Sequence, residues 1–173
     1  SLGPLIREAD GTIYPSARAL PNIRDGIAHA VLGPIWPGNP WTKSYLDDRN
    51  MTRERPAGWL SGSCLLVRWE AFYQIAGFDE GYFMYMEDVD LGDRLGKAGW
   101  QNIFVPSAEI RHAKGHAASS HPETMLPAHH RSAYKFQADR HPHWWQAPLR
   151  WILKAGLWVR CQIAVSLARR ERH

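Results

Sequence analysis

The segment YFMYMEDVDLGDRL, residues 82–95, places a dense group of carboxylates directly behind a run of aromatic and methionine side chains. The run covers residues 82–86, and the carboxylates are Glu87, Asp88, Asp90 and Asp93. Three kinds of structure would account for so much charge beside apolar bulk: a solvated helix start, a metal site or a catalytic base. The phase of the helix that follows helps to separate them.

The apolar spacing after position 86 predicts a helix over residues 87–98. Its buried stripe recurs at i, i+4 and i+7 and consists of Leu91, Leu95 and Ala98. At roughly 100° per residue, Asp88 lies near that stripe and faces the core or a cleft, whereas Asp90 and Asp93 turn away from it. We therefore predict that Asp90 and Asp93 form a solvated first turn. A carboxylate on the buried side is costly without a partner, so Asp88, flanked by Glu87, is the candidate general base.

Strands and helices alternate on both sides of this segment, which predicts an α/β fold. The predicted strands are a short strand or hairpin over 1–14 with Asp10-Gly11 as its turn, a buried strand over 64–67, a strand over 101–106 stopped by Pro106, and a short strand over 108–113. The predicted helices are 23–33, a short helix ended by Gly77, 87–98 ended by Gly99, 128–141, and a long segment over 144–170. The segments 34–45 and 114–127 are predicted loops.

The length of 173 residues suits one ordinary domain with a real core, since 45% of the residues are hydrophobic and 22% are charged. The net charge of +4 is mild, and a bland surface explains it as well as a polyanionic partner does. Cys64 and Cys161 lie far apart in apolar runs and are predicted to be free, buried thiols. The sequence opens without an initiator Met or a signal peptide, and we expect a fragment of a longer protein.

Residues 59–112 resemble the second half of inverting family-2 glycosyltransferases with the GT-A fold. The resemblance rests on Ser61-Gly62 at a strand start, Gly77-Phe78-Asp79-Glu80, Phe83, the Glu87-Asp88-x-Asp90-Leu91 signature, Gly99-Trp100 and a strand-ending His112. The flanks GPLIREADGTIYPSAR (3–18) and IWPGNPW (35–41), with the basic Trp-rich tail, resemble the actinobacterial rhamnosyltransferase branch. The resemblance implies transfer of rhamnose from dTDP-rhamnose to polyprenyl-diphosphate-linked N-acetylglucosamine in cell-wall synthesis.

The resemblance also implies a role for each acidic residue of the signature. Asp88 matches the family's catalytic base, which deprotonates the acceptor hydroxyl for a single inverting displacement at the anomeric carbon. Glu87 would orient that base or the acceptor, and Asp90 is placed with the substrate-binding residues. The displacement needs no covalent enzyme intermediate, so a Ser-His or Cys-His pair is not required.

The other matched residues imply an acceptor side and a metal. Trp59, Ser61 and Gly62 match the acceptor-side edge of the cleft, where an aromatic face stacks on a sugar. His112 matches the histidine that completes coordination of a divalent metal, Mg²⁺ or Mn²⁺, which neutralises the departing nucleotide diphosphate. The implied partners are therefore a nucleotide-diphospho-sugar donor and a polyprenyl-diphosphate-linked sugar acceptor.

The family's nucleotide-binding half has no counterpart in the sequence. Asp88-Val89-Asp90 has the letters of the Asp-x-Asp metal motif, but it opens a helix and follows no apolar strand, so we reject it as that motif. A Gly-rich phosphate loop is not found either. We predict a partial GT-A domain that lacks its N-terminal nucleotide-binding half and is inactive alone. Residues 1–127 would form the acceptor-side half, and residues 128–173 a C-terminal helical extension.

The histidines leave a second enzyme class open, because seven of the nine lie between residues 112 and 143. His112 and His116 have the i, i+4 spacing of a zinc helix. Gly115 and the preceding strand argue against a helix there, and no Glu follows His112. A surface or loop role is predicted for every histidine except His112. A metallohydrolase built on this cluster remains the alternative.

The tail over 144–170 suits a helix that lies on an anionic membrane surface. Its tryptophans are Trp144, Trp145, Trp151 and Trp158. Lys154, Arg160 and Gln162 interrupt the apolar run and make it too polar for a comfortable span. We predict a peripheral protein on the cytoplasmic, inner face of the cell membrane. The basic tail would also suit a nucleic-acid-binding module, but no recognition motif occurs and the acidic patch at 87–93 opposes it, so no nucleic-acid partner is predicted.

Overall fold

The computed structural model describes residues 1–22, 51–112 and 122–170. Packing divides the chain into two compact units, residues 1–79 with 88–114 and residues 80–87 with 115–173. The strands are β1 (Leu2–Arg7), β2 (Ile13–Tyr14), β3 (Ala17–Arg18), β4 (Arg55–Ala57), β5 (Trp59–Leu60) and β6 (Asn102–Arg111). The helices are α1 (Trp69–Gln74), α2 (Glu87–Lys97), α3 (Pro122–Arg140) and α4 (Ala147–Arg170), with a 3₁₀ turn at Trp144–Gln146. The predicted helix over 23–33, the predicted loop over 34–45 and His116 lie outside the described residues.

A mixed sheet with strand order β2-β1-β6-β4 forms the centre of the first unit. β1 pairs in parallel with β6 and antiparallel with β2, and β4 pairs antiparallel with the other edge of β6. The predicted hairpin turns at Gly11, whose φ of 84° is a conformation that glycine adopts freely. β3 and β5 form a second, two-stranded sheet. The prediction of an α/β fold is confirmed.

Strand β6 contradicts the prediction that Pro106 ends it. The strand continues to Arg111, because the pairing with β1 shifts at the Pro4–Leu5 step and leaves residues 106–108 of β6 as a bulge. A bulge tolerates a proline, since its residues do not donate to the ladder. β4 pairs with residues 102–104, so Pro106 also lies past the part of β6 that is paired on both edges. The two predicted strands are therefore one bent strand.

The segment 64–67 is not the buried strand that its apolar letters predict. One isolated antiparallel bridge joins Leu66 to Leu2, and Leu66 is 69% exposed. Leu65 and Val67 are partly buried and pack against the core between α1 and α2. The helix α1 follows almost at once, so the segment ends before a ladder can form.

Helix α2 packs two members of its predicted stripe into a core of the first unit, whereas the third, Ala98, follows the helix and is only partly buried. Leu91 and Leu95 are buried and cluster with Ala71 of α1. Burial of a leucine side chain contributes about 1.5–3 kcal/mol, which anchors α2 firmly. Both helices end where the chain takes a left-handed turn, with φ of 72° at Gly77 and 88° at Gly99. The predicted ends of these helices are confirmed, and α2 begins one residue before the candidate base.

The second unit is built from α3 and α4, which pack on each other. α3 begins at Pro122, so the predicted loop over 114–127 is wrong for residues 122–127. Pro127 lies inside α3, where it removes one i→i−4 hydrogen bond that the rest of a 19-residue helix outweighs. The predicted division between residues 127 and 128 falls within this helix. Both cysteines are free as predicted, although Cys64 is only partly buried.

Candidate active site

The Asp88 carboxylate lies at the start of α2 and is held by two backbone N–H groups. Its Oδ2 accepts a hydrogen bond from Gly62 at 2.9 Å, and its Oδ1 accepts one from Val89 at 2.8 Å. A Cβ added at Gly62 would lie 3.4 Å from the Asp88 Cβ, so the backbone at position 62 packs directly on this side chain. The first turn of α2 and the turn after β5 therefore fix the direction of the carboxylate together.

Burial raises the pKa of Asp88 above its ordinary value of 3.8. The two N–H groups and the positive charge of Arg18 act in the opposite direction, and burial outweighs them. The Arg18 guanidinium lies 5.8 Å and 5.7 Å from the ring centres of Tyr14 and Trp59, which keeps that charge near the site. A carboxylate with a raised pKa accepts a proton more readily, as a general base must.

An open depression of about 370 Å³ lies at Gly62, the residue whose N–H binds this carboxylate. Gly62 lines it together with five apolar side chains: Leu65, Val67, Trp69, Phe72 and Phe78. Trp69 is 71% exposed, so an aromatic face is presented to solvent. Apolar and aromatic linings of this kind are typical of small-molecule sites. Because Gly62 both lines the depression and holds Asp88, a molecule bound there would lie close to the base.

Asp90 and Asp93 are buried, so the predicted solvated first turn is wrong. They are 9% and 5% exposed. Arg94 Nε donates to Asp90 Oδ2, and Lys97 Nζ donates to Asp93 Oδ2, both at 2.7 Å and both at i, i+4 spacing. The helical phase correctly placed the two carboxylates off the leucine stripe, but that side of α2 is covered as well. The substrate-binding role of Asp90 stays a prediction, and its carboxylate is bonded to Arg94.

Arg94 is not among the residues predicted for the site, yet it links two of its elements. Besides Asp90, its Nη1 donates to the carbonyl oxygens of Ile75 and Gly77, each at 2.7 Å. It therefore ties the end of α1 to the first turns of α2. The i, i+4 spacing of Asp90 and Arg94 is a sequence signal that could have indicated the ion pair. No sequence pattern indicates the two contacts of Arg94 with the carbonyl oxygens of Ile75 and Gly77.

Trp59 and Ser61 precede Gly62, the residue that binds Asp88, and their side chains have contacts within the fold. The indole N–H of Trp59 donates to the Ala19 carbonyl at 3.0 Å. Ser61 is buried, and its Oγ donates to Ser63 Oγ at 3.1 Å. Gly92 of α2 packs so closely on Trp59 that an added Cβ would lie 2.7 Å from the Trp59 Cβ. Gly92, which was not predicted, thus sets how near α2 comes to β5, and the acceptor role of Trp59 and Ser61 stays a prediction.

His112 follows the last residue of β6, which confirms that a histidine ends this strand. Its N–H donates to the Arg7 carbonyl at 2.8 Å, and the residue is exposed. Within residues 1–22, 51–112 and 122–170, no three His, Cys, Asp or Glu side chains gather so as to hold a metal ion. These residues by themselves do not fit Mg²⁺ or Mn²⁺, and the metal role of His112 stays a prediction. Glu87 is the half-buried first residue of α2, and its orienting role is also untested.

Comparison with known proteins decides the family of this chain. The family model described as glycosyl transferase family group 2 matches residues 40–165, which is most of the chain. The chain belongs to this family. The matched range of this family 2 glycosyl transferase includes the Gly62 turn, Asp88, all of α3 and α4 as far as residue 165. The resemblance seen in the sequence is therefore confirmed.

Relatives of this family 2 glycosyl transferase are named as rhamnosyltransferases. The chain is 60% identical over 173 residues to the N-acetylglucosaminyl-diphospho-decaprenol L-rhamnosyltransferase of Mycobacterium tuberculosis, in strains CDC 1551 / Oshkosh and ATCC 25618 / H37Rv. That alignment covers 99% of the chain and 56% of the mycobacterial proteins, so the chain spans a little over half of their length. It is 32% identical over 125 residues to Rhamnosyltransferase WbbL of Escherichia coli K12, covering 72% of the chain and 45% of that protein.

No solved structure matches the chain. The mixed α/β fold with C-terminal helices, together with the family match and the 56% coverage, is consistent with the predicted partial GT-A domain.

Proposed function

We propose that this chain carries the catalytic base and the acceptor side of a rhamnosyltransferase. The enzyme transfers rhamnose from dTDP-rhamnose to polyprenyl-diphosphate-linked N-acetylglucosamine in cell-wall polysaccharide synthesis. The name of the mycobacterial relative, which specifies N-acetylglucosaminyl-diphospho-decaprenol, supports this acceptor class. The observation that carries the proposal is the Asp88 carboxylate, held by Gly62 beside an apolar depression.

In the proposed reaction, Asp88 removes the proton of the acceptor hydroxyl as that oxygen attacks the anomeric carbon of the donor sugar. The new carbon–oxygen bond forms while the bond from the anomeric carbon to the diphosphate oxygen breaks, so the anomeric configuration inverts. The proton ends on Asp88, and the nucleoside diphosphate leaves with the bonding electron pair. Burial, which raises the pKa of Asp88, favours this proton transfer, and Glu87 orients the base or the acceptor.

A divalent metal enters this proposal only as an expectation from the family. When bound, Mg²⁺ or Mn²⁺ would neutralise charge on the leaving diphosphate. The described residues offer His112 at the end of β6 but no ligand set of three around it. The role of Asp88 as a base does not depend on the metal.

We also propose that α4 binds the cytoplasmic face of the cell membrane, where it would bring the enzyme to a lipid-linked acceptor. One stripe of α4, which includes the buried Cys161, faces the packed side of the second unit. Six large apolar side chains on the rest of its surface are between 49% and 74% exposed: Trp151, Ile152, Trp158, Val159, Ile163 and Leu167. Arg169 and Arg170 in the last turn would meet anionic headgroups.

The segment Trp144–Arg170 is also long and apolar enough to cross a bilayer, since its most apolar window of 18 residues has a mean hydropathy of 1.2 and only 6% of that window is buried. Composition alone therefore does not support the prediction that it is too polar to span. We propose the interfacial arrangement because Lys154 and Arg160 interrupt the apolar run over residues 151–168. Alkaline carbonate extraction separates the two arrangements, because an interfacial helix is released from membranes and a spanning helix is retained.

Liposome flotation tests the membrane proposal by residue. Ile152→Glu with Ile163→Glu places two charges on the exposed apolar face and is expected to abolish binding to anionic vesicles. Thr124→Glu with Gln101→Glu makes the same change in net charge at exposed positions outside α4 and is the matched control. Equal loss of binding by both pairs would point to bulk charge and contradict the role of this face.

The substrate proposal is tested with purified full-length protein, dTDP-rhamnose and polyprenyl-diphosphate-linked N-acetylglucosamine. Mass spectrometry is expected to show one rhamnose added to the acceptor, and none with Asp88→Asn. Glu70→Gln removes an exposed carboxylate of α1 and is expected to leave the rate unchanged. Failure of the wild-type protein to use this substrate pair would contradict the assignment.

The family match and the named relatives favour neither alternative that the sequence leaves open. A metallohydrolase would need a ligand cluster, and the part of the chain that the structure describes contains none. A nucleic-acid-binding module is likewise not what the relatives are named for.

A further inference from the structure

A strained bend leads directly into the helix that carries Asp88. Tyr85 and Met86 have φ of 67° and 68°. This left-handed backbone conformation costs free energy for residues that have a Cβ. Both residues precede α2 immediately, so their backbone sets where that helix begins. Two successive residues of this kind persist only where surrounding contacts hold them.

Two contacts from α3 hold the bend within the second unit. The Ser132 hydroxyl donates to the Met84 carbonyl at 2.8 Å, and Ser132 is buried. The Tyr85 ring meets the His129 ring edge to face, with the ring centres 5.2 Å apart. These contacts restrain the backbone just before the strained pair and the side chain of its first member.

A third contact extends the same support toward the start of the bend. The Lys135 ammonium lies 4.6 Å from the centre of the buried Tyr82 ring. His129, Ser132 and Lys135 are each three positions apart, so one face of α3 carries all three contacts. That face supports the chain from Tyr82 to Tyr85, a segment that ends at the first residue of the strained pair and leads into α2.

We propose that α3 positions the catalytic base by holding this bend, with Ser132 as the positioning residue. The inference rests on the proposed function of Asp88. Loss of the Ser132 hydroxyl would free the Met84 carbonyl and let Tyr85 and Met86 relax toward ordinary φ values. Because the bend is joined to α2 by the chain, the first turn of α2 would then move, and the carboxylate would no longer be fixed on the Gly62 N–H.

Hydrogen exchange of the full-length enzyme tests the structural part of this proposal. Ser132→Ala is expected to speed amide exchange over residues 82–88 by about 2- to 10-fold, the effect of losing one buried hydrogen bond. Exchange over β6 is expected to stay unchanged. Thr124→Ala, which deletes an exposed hydroxyl of the same helix, is the control and should change neither region. Equal acceleration in both regions, or none over 82–88, would overturn the proposal.

A second variant tests the strain itself. Asn adopts positive φ more readily than Met, so Met86→Asn placed in the Ser132→Ala background is expected to slow exchange over 82–88 back toward the wild-type rate. Failure of this reversal would contradict the claim that strain at Met86 is what Ser132 restrains.

Kinetics of the same variants test the catalytic part. Ser132→Ala is expected to lower kcat by about tenfold and leave the donor KM unchanged, because misplacement of a base costs rate rather than donor binding. An unchanged kcat despite faster local exchange would overturn the positioning role. If Asp88→Asn proves fully active while the exchange results hold, the proposed base is wrong and the support of the bend by α3 still stands.

Discussion

Replacing Gly92 with Ala is expected to destabilise the fold, although alanine is the better helix former. The added Cβ would lie 2.7 Å from the Trp59 Cβ, 2.8 Å from the Trp59 Cα and 2.9 Å from the Gly58 carbonyl oxygen. Rotation of a side chain cannot relieve contacts with backbone atoms, so α2 or β5 must move. The Asn102 amide, which donates to the carbonyls of Gly58 and Gly92 at 3.0 Å each, would be strained by that movement.

The magnitude follows from two opposing terms. Alanine in place of glycine inside a helix gains about 0.5–1 kcal/mol, whereas overpacking of a tight contact costs about 1–3 kcal/mol. The two terms together give Gly92→Ala a net loss of about 0–2.5 kcal/mol of unfolding free energy. Gly96→Ala is the matched control, because a Cβ at this exposed position on the same helix would meet nothing within 4 Å. That control should gain about 0.5–1 kcal/mol.

Urea unfolding of the two variants beside the wild type measures both effects. The close approach of Gly92 also predicts lower transfer activity for Gly92→Ala alone, because a displaced α2 carries Asp88 away from Gly62. If Gly92→Ala proves as stable as Gly96→Ala, α2 does not pack on β5 as tightly as the distances indicate.

Three further predictions concern charge. Arg94→Met leaves the buried Asp90 carboxylate without the guanidinium and should lower the free energy of unfolding by about 3 kcal/mol. Lys97→Met changes a side chain that is 62% exposed and should lower it by less than about 1 kcal/mol. Equal losses in urea unfolding would contradict this prediction. Partial removal of the His129 ring from water, together with the electrostatic effect of the neighbouring His130 and Arg160, lowers the pKa of His129 below 6.5. The unfolded chain then binds a proton that the folded chain does not, so the free energy of unfolding should fall as the pH drops through 6.5, and His129→Gln should remove this part of the slope. Transfer requires ionised Asp88, so kcat/KM should fall with decreasing pH at a pKa above 3.8, and an acid limb at or below that value would contradict the effect of burial.

The parts of the fold that depend on local chemistry could be predicted from the sequence. Glycine at positions 11, 77 and 99 marked a hairpin turn and two helix ends, and each has the positive φ that favours glycine. The strand boundaries at 64–67 and Pro106 were wrong for a shared reason. A strand depends on its partner, and neither the single bridge of Leu66 nor the bulge opposite β1 is encoded in the segment itself.

The candidate site could be predicted in part. Helical phase separated Asp88 from Asp90 and Asp93, but phase shows which side of a helix a residue occupies and not what covers that side. The burial of Asp90 and Asp93 was therefore missed. Asp88 and Gly62, which are in contact, lie 26 positions apart in the sequence. The family resemblance, and not this spacing, indicated that both residues belong to the site. No feature of the sequence indicated that Arg18, whose charge acts to lower the pKa of Asp88, lies near the site.

The central claim is that Asp88 is the base, and the rate of sugar transfer by Asp88→Asn in the full-length enzyme tests it most directly. Asparagine keeps the size of the side chain, and its carbonyl oxygen can still accept the Gly62 N–H, but it cannot take up the acceptor proton. With both substrates saturating and donor binding measured separately, kcat should fall by about 10²- to 10⁴-fold while the donor Kd stays unchanged. Transfer at close to the wild-type rate would contradict the assignment of Asp88.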